Sequence, residues 1–183
     1  MPSATEPVLP NRLRARKSER LFSVVLVEPE IPPNTGNIAR LCAATCCPLY
    51  LVEPLGFSID AHAVRRAGLD YWPLVEVHTH ANLQSAEAAI RENAAPAKPR
   101  FWLLSGKAEQ SYLDVELEPG DAFIFGKESV GLPEALIAAR AADVIGIPTI
   151  GPVRSLNLAN SVAIVLYEAL RRLDALRVES RDP

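Results

Sequence analysis

The sequence predicts an α/β fold with a mostly parallel sheet flanked by helices. Short β-branched, apolar stretches alternate along the 183-residue chain with longer stretches of helical periodicity, which is the pattern of parallel strands joined by crossover helices. The first apolar stretch, LFSVVLVE (residues 21–28), is uninterrupted, as in a strand that is buried on both faces. The length and the 49% hydrophobic content indicate one globular domain.

Six strands are predicted, and prolines after the first strand set the expected start of the first helix. The strands are residues 21–28, 49–53, 75–78, 100–105, 122–125 and 144–147. Prolines within residues 29–36 predict a loop there, because proline lacks the N–H that a helix interior needs. Thr35 is then the expected N-cap of a helix over residues 37–47.

Four further helices follow along the chain. They are a short basic helix after Asp60, then residues 82–93, 133–140 and 157–173. The short helix contains Arg65 and Arg66, and the third begins at Pro133, a residue that suits a first helical turn. Apolar residues recur at helical spacing in the last helix, and Ser155 is placed to cap it.

The net charge of −3 is unevenly distributed. Residues 1–20 carry five basic and two acidic side chains, which leaves −6 for the remainder. We predict a flexible basic tail over residues 1–20, one domain over 21–175 and a C-terminal tail over 176–183. No apolar run reaches the roughly 20 residues of a membrane-spanning helix, and the N-terminus lacks the apolar core of a secretory signal. A cytoplasmic protein is therefore expected.

Cysteine and histidine usage gives no indication of a disulfide framework or a metal site. Cys42, Cys46 and Cys47 lie in one predicted helix. Adjacent cysteines and an odd total argue against disulfides, so we expect buried free thiols. The histidines at positions 62, 78 and 80 have no metal-ligand spacing with them, so no metal is expected.

Three polar loops that follow predicted strands form the candidate site. They are residues 29–40, 125–133 and 148–160. Parallel sheets bind ligands at the carboxyl ends of their strands, where these loops begin. The common nucleotide motifs are missing, because FGKESVGLP (125–133) lacks the glycine spacing and the hydroxyl of a P-loop, and no GxGxxG follows the first strand.

Amide and guanidinium side chains in these loops could bind a polar ligand. Asn34 and Arg40 surround the start of the first helix, where an arginine could clamp a phosphate or a ribose. Asn157 and Asn160 stand near the start of the last helix, beside Arg154. They could bind an adenine edge, a ribose or an RNA backbone. Helix capping and solvated surface arginines are the alternative interpretation.

Three segments resemble, in order and spacing, the motifs of the SPOUT-superfamily RNA 2′-O-methyltransferases. They are NTGNIARLC (34–42), FGKESVGLP (125–133) and IPTIGPVRSLNLANSVAIVLYEALR (147–171). The resemblance covers roughly residues 21–173. The segments EPEIPPNTGN (28–37), EPLGFSID (53–60) and RRAGLDYW (65–72) further resemble the tRNA (cytidine/uridine-34 2′-O)-methyltransferases.

This resemblance implies a fold feature, a cofactor and partners. The C-terminal segment of the protein is expected to form a deep trefoil knot. The pattern of apolar and polar residues alone would not predict a knot, because knots are rare. The implied cofactor is S-adenosyl-L-methionine, with S-adenosyl-L-homocysteine as product. The implied partners are the tRNA anticodon loop and a second copy, held through the C-terminal helix and the knot region.

The resemblance also assigns residues to the cofactor. Those expected to line its pocket are Leu104, Gly126, Ile147 and Ser155, with apolar contacts from Leu132 and Leu156. Gly126 is expected to let the backbone approach the cofactor. Glu128 is expected to hold the knot loops together by accepting hydrogen bonds.

The implied catalytic residues are Arg40, Asn34 and Asn157. The family assigns activation of the ribose 2′-hydroxyl to Arg40, although arginine is a poor base because its pKa exceeds about 12. Arg40 could instead stabilise the developing oxyanion or orient an RNA phosphate that accepts the proton. Asn34 would position Arg40 or the ribose, and Asn157 would connect the third motif to that site.

Two other functions remain open from the sequence. The same chemistry could act on another tRNA nucleotide or on ribosomal RNA, or the protein could be a non-catalytic, cofactor-binding dimer associated with RNA. The intact set of Arg40, Glu128 and Asn157 argues against the latter. Arg154, Arg65, Arg66 and the basic tail are candidate contacts to the tRNA backbone, with a solvated helix face as the alternative for Arg65 and Arg66.

Overall fold

The computed structural model describes residues 20–58, 72–94 and 96–178, together with residues 13 and 15. In this part of the chain seven strands form one sheet. They are β1 (Ser23–Val27), β2 (Leu49–Val52), β3 (Val77–His80), β4 (Phe101–Leu104), β5 (Gln110–Ser111), β6 (Ala122–Phe125) and β7 (Val144–Gly146). All pairs between them are parallel, so the predicted sheet is confirmed. Only the two-residue β5 was not expected.

Four α-helices accompany the sheet. They are α1 (Pro32–Thr45), α2 (Leu83–Ala94), α3 (Glu134–Ala139) and α4 (Leu158–Arg172), with 3₁₀ turns at Trp72–Leu74 and Ala141–Asp143. The predictions for α2, α3 and α4 are confirmed to within a residue or two, which is the usual uncertainty of helix ends. The predicted helix containing Arg65 and Arg66 lies outside the described residues.

The first helix begins earlier than predicted. It starts at Pro32, with prolines in its first two positions and Ile31 as N-cap. Proline is tolerated there because the first N–H groups of a helix have no partner within the helix. The expectation that Thr35 caps this helix is therefore wrong, since Thr35 is inside the first turn and 1% exposed.

The same helix ends in a left-handed residue, Cys46, at φ 55°. This end exposes Cys46, while Cys42 and Cys47 are buried. All three thiols are free, and burial raises the pKa of both Cys42 and Cys47. The expectation of buried free thiols is thus correct for two cysteines and wrong for Cys46.

Alternating strand residues build two hydrophobic clusters on the two faces of the sheet. Val24 and Leu26 of β1 belong to the cluster that α4 covers, whereas Val25 and Val27 belong to the cluster that α2 covers. The predicted apolar face of α4 is confirmed as buried, through Val162, Val165, Leu166, Ala169 and Leu170. The fold is therefore a helix–sheet–helix sandwich. None of the helices in the described ranges is long and apolar enough to cross a membrane.

The strand order places the candidate loops together. From β1, the chain first adds β2 and β3 on one side. The later strands all lie on the other side, giving the order β3-β2-β1-β6-β4-β7-β5. The direction of winding changes between β1 and β6, which is the point where open α/β sheets form a ligand crevice. The carboxyl ends of β1, β6, β4 and β7 are neighbours at this crevice.

Asp121 anchors the opposite, amino-terminal edge of the sheet. It is 1% exposed and accepts hydrogen bonds from the Trp102 indole at 3.0 Å, the Arg100 N–H at 2.8 Å and the Glu118 N–H at 3.1 Å. Its carboxylate thereby satisfies the buried indole N–H of Trp102, which has no access to water.

Replacing Asp121 with alanine is expected to destabilise the protein by about 2–4 kcal/mol, because it leaves the buried indole N–H without an acceptor. Urea unfolding would measure this loss. Asp114→Ala is the matched control, since Asp114 is exposed in the loop after β5, and it should change stability by less than about 0.5 kcal/mol. Equal effects of the two substitutions would contradict the anchoring role.

Candidate functional site

The three candidate loops leave the same edge of the sheet. In the parallel register, Leu26 of β1 is opposite Phe125 of β6, Phe125 is opposite Leu104 of β4, and Leu104 is opposite Ile145 of β7. The segments that follow these residues therefore begin side by side. The sequence prediction that the polar loops meet at the carboxyl ends of the strands is confirmed.

A chain of hydrogen bonds joins one residue from each loop. The Asn34 amide donates to the Glu128 carboxylate at 2.9 Å, and the Asn157 amide donates to the Asn34 carbonyl oxygen at 3.0 Å. Glu128 also accepts from the backbone N–H of Glu30 at 2.8 Å and of Ile31 at 3.3 Å. This is the hydrogen-bonding role expected for Glu128, and it holds the first two loops together.

Asn157 connects this chain to the last helix. Its side-chain oxygen accepts from the backbone N–H groups of Ala159 at 2.9 Å and Asn160 at 3.3 Å, which makes Asn157 the N-cap of α4. The prediction that Ser155 caps this helix is therefore wrong. Ser155 is exposed two residues earlier, and the helix starts at the residue after Asn157 because the amide satisfies its first donors.

A second set of contacts between the same loops was missed at the sequence level. The Lys127 ammonium pairs with the Glu28 carboxylate at 2.6 Å, and the Ser129 N–H donates to the Glu30 carboxylate at 3.0 Å. Hydrogen bonding raises the pKa of Lys127 and lowers that of Glu30. Lys127 therefore faces a carboxylate of its own chain, which explains why the Gly-Lys pair is no phosphate loop.

Two glycines allow the second loop to turn back on itself. A Cβ on Gly126 would lie 2.1 Å from the carbonyl carbon of Gly131 and 2.2 Å from the Leu132 nitrogen. Gly131 has φ +77°, a conformation that favours glycine, and its N–H donates to the Lys127 carbonyl at 2.8 Å. Contact with the protein's own backbone, rather than with a ligand, is thus sufficient to require glycine at position 126.

The residues expected to line a cofactor pocket are distributed over both faces of this edge. Leu104 and Ile147 pack with the cluster beneath α1 and α4, whereas Leu132 is buried in the opposite cluster. Ser155 is exposed and Leu156 is half-buried in the loop before α4. The contacts that these residues would make to a cofactor stay predictions.

Arg40 lies apart from the hydrogen-bonded chain formed by Glu128, Asn34 and Asn157, which we call the amide chain. It is exposed on α1, six residues after Asn34, which corresponds to about 9 Å along the helix axis. Both hydrogen-bonding ends of the Asn34 amide already have partners in Glu128 and Asn157. Asn34 is therefore suited to fixing the loops rather than to holding Arg40 directly.

The described part of the site contains no recognisable metal centre. Within the described ranges there is no group of three or more His, Cys, Asp or Glu side chains that could hold a metal ion. The carboxylates at the crevice are used internally, Glu128 by the first loop and Glu28 by Lys127. The loops also offer backbone, small hydroxyl and apolar side chains, and the arginines at positions 40 and 154 are exposed.

Comparison with known proteins identifies the class of protein that has this fold and site. Residues 21–167 match the SpoU rRNA Methylase family, and the chain belongs to that family. The membership expected from the three motifs is confirmed.

Relatives within this family are more specific. A protein of Saccharophagus degradans named tRNA (cytidine(34)-2′-O)-methyltransferase is 46% identical over 84% of this chain and 96% of its own length. A solved structure concerned with "the 2-OH methylation of C/U34 on tRNA" is 41% identical, with a TM-score of 0.75 over 84% of this chain and 96% of its own. The methyltransferase AviRb of Streptomyces viridochromogenes, solved with AdoMet, shares the fold with a TM-score of 0.74 at 22% identity, over 90% of this chain and 62% of its own.

Proposed function

We propose that this protein transfers a methyl group from S-adenosyl-L-methionine to the ribose 2′-hydroxyl of the wobble nucleotide of tRNA, position 34. The observation that carries the proposal is the amide chain from Glu128 through Asn34 to Asn157. It brings the three family motifs together at the crevice of the sheet. The 46% identity to a tRNA (cytidine(34)-2′-O)-methyltransferase over nearly all of that protein supports the choice of target.

The crevice suits the implied cofactor by the chemistry of its donors. When bound, S-adenosyl-L-methionine supplies an activated methyl group on a sulfonium and leaves as S-adenosyl-L-homocysteine. The loop over residues 147–156 contains Pro148, Gly151 and Pro152, together with the exposed Ser155 hydroxyl and the half-buried Leu156. Backbone amides and carbonyls at positions 104, 126 and 147 could hydrogen-bond an uncharged adenine ring, and Leu156 could cover its face.

Arg40 is the residue proposed to act on the ribose. Transfer joins the methyl carbon to the ribose oxygen, and the hydroxyl proton must leave. Since a guanidinium has no acceptor site, Arg40 would stabilise the developing negative charge on the oxygen or orient an RNA phosphate that takes the proton. Asn34 and Asn157 act as positioning residues, because their amides fix the loops to each other.

Asn157 combines a structural and a positioning role, and substitutions should separate them. Asn157→Ser keeps an N-cap oxygen but removes the amide donor to Asn34, so stability should stay within about 0.5 kcal/mol while methyl transfer falls about tenfold or more. Asn157→Ala should lose about 1 kcal/mol as well as activity. Thermal unfolding and single-turnover methylation would measure the two effects. Full activity in the serine variant would contradict the positioning role.

Two features of assembly are proposed with the function. A trefoil knot is supported by the position of β7, which comes last in the chain yet lies between the earlier strands β4 and β5. The chain after β6 thus returns to pair with two segments that come earlier in the sequence. A homodimer through α4 and the knot region is supported by the exposure of Ile164 and Tyr167 on α4, at 38% and 46%. We also propose a cytoplasmic location, where tRNA would be available as substrate.

Methylation of defined RNA substrates tests the proposed function. Purified tRNAs incubated with methyl-labelled S-adenosyl-L-methionine should gain label at nucleotide 34, detected as resistance of the adjacent phosphodiester to alkaline cleavage. A tRNA with a 2′-deoxynucleotide at position 34 is the matched control and should gain none. Label at another tRNA nucleotide or in ribosomal RNA would support the alternative target, and cofactor binding without transfer to any RNA would support a non-catalytic role.

A further inference from the structure

Exposed aliphatic side chains surround the candidate site. Among the described residues, four of the large hydrophobic side chains that face solvent belong to the three site loops: Ile31 at 43%, Val130 at 75%, Ile150 at 109% and Val153 at 55% exposure. We refer to these four as the apolar rim. Exposing them costs free energy, and such patches beside a site commonly contact a partner.

The rim belongs to the site rather than to the general surface. The Ile31 N–H donates to Glu128 at 3.3 Å, and Val130 follows Glu128 by two residues. Ile150 and Val153 precede Asn157 in the loop that leaves β7. Each rim residue is thus on a segment that the amide chain or the adjoining strand ends hold at the crevice.

Resting on the proposed function, we propose that the apolar rim receives the faces of unpaired bases in a single-stranded RNA loop. Apolar side chains pack against or wedge between bases that are not stacked in a duplex. A fully paired helix presents phosphates and base edges instead, which aliphatic side chains recognise poorly. The rim would then select for an accessible loop around the methylated nucleotide.

Charges beside the rim favour RNA over a protein partner. Arg154 is exposed and directly follows Val153 in the loop before α4, so a cation that attracts phosphates stands next to a side chain that attracts bases. A second copy of the chain would need roughly 20–30 residues a side for a stable interface. Four separate side chains around a crevice are too few for that, whereas each could contact the face of one base.

Binding of an RNA stem-loop tests the rim directly. The double substitution Ile150→Ser with Val153→Ser should weaken binding of an anticodon stem-loop about tenfold, since each serine loses apolar contact. The slope of log Kd against log salt concentration should not change, because that slope reports phosphate contacts. Arg154→Gln should instead lower the slope by about one unit. Ile150→Val should retain binding. Leu74→Ser is the matched control and should also retain binding, because Leu74 is 70% exposed but precedes β3 and so lies at the opposite ends of the strands.

The possible outcomes distinguish the rim from the proposed function. Unchanged stem-loop affinity in the double variant, an equal loss in Leu74→Ser, or an altered salt slope would overturn the rim. A change in molar mass in solution, measured by light scattering, would assign these residues to a second copy and overturn it too. If the wild-type protein fails to methylate tRNA, the proposed function is overturned. If the wild-type protein methylates tRNA but the double variant binds the stem-loop as tightly as the wild type does, only the rim is overturned.

Discussion

Replacing Arg40 with alanine is expected to reduce methyl transfer by about 100- to 1,000-fold, the usual cost of removing one group that stabilises a developing oxyanion. Binding of S-adenosyl-L-homocysteine should remain close to that of the wild type. Arg40 is exposed on α1, roughly two helical turns from the amide chain, and its loss leaves that chain intact. Isothermal calorimetry with the product and single-turnover transfer to tRNA would measure the two quantities separately.

Two variants control this experiment. Arg40→Lys keeps the positive charge but loses the planar fork of donors, so its activity should fall between those of wild type and the alanine variant. Arg91→Ala removes an exposed arginine on α2, on the other side of the sheet, and should leave transfer unchanged. Equal losses of product binding and transfer in Arg40→Ala would show that Arg40 serves the cofactor rather than the ribose.

Replacing Gly126 with alanine is expected to destabilise the protein by about 3 kcal/mol or more, because the new methyl group would overlap backbone that cannot yield as a flexible side chain does. The nearest atoms, in Gly131 and Leu132, would be 2.1–2.4 Å away. The turn over residues 127–131 would have to open, which would also displace Glu128. Product binding should therefore weaken together with stability.

Gly151→Ala provides the matched control for this substitution. A Cβ at Gly151 meets no heavy atom within 4 Å, so stability should change by less than about 0.5 kcal/mol. Chemical denaturation and calorimetry with S-adenosyl-L-homocysteine would compare the two variants. If the Gly126→Ala variant were as stable as the wild type, the turn would have to adopt another conformation in solution.

The sequence predicted the sheet and most helices because both depend on local patterns of apolar residues. The uninterrupted apolar run of β1 and the helical spacing of Val162, Val165 and Ala169 in α4 are such patterns. The start of α1 was predicted incorrectly because proline breaks a helix at interior positions but is tolerated in the first turn of a helix. Likewise, Ser155 and Asn157 are both competent caps, and only the position of the β7–α4 loop decides between them.

The site was predictable as three loops but not as a set of contacts. The motifs indicated Asn34, Glu128 and Asn157, yet nothing local pairs Lys127 with Glu28, since their partnership depends on β6 lying beside β1. The Glu28 backbone has φ 51°, a conformation that its residue type does not indicate. The assignments of Arg40 and of the cofactor-lining residues stay predictions, as do the tails over residues 1–20 and 176–183.

The amide chain has a consequence for how the protein acquires its site. Asn34 is separated from Glu128 by 94 residues and from Asn157 by 123. Contacts between such distant residues close late and slowly in folding, because long stretches of chain must first be ordered. Product binding during refolding should therefore appear only after the helical signal has returned, and a newly made chain would gain ligand affinity only once its final helix has docked.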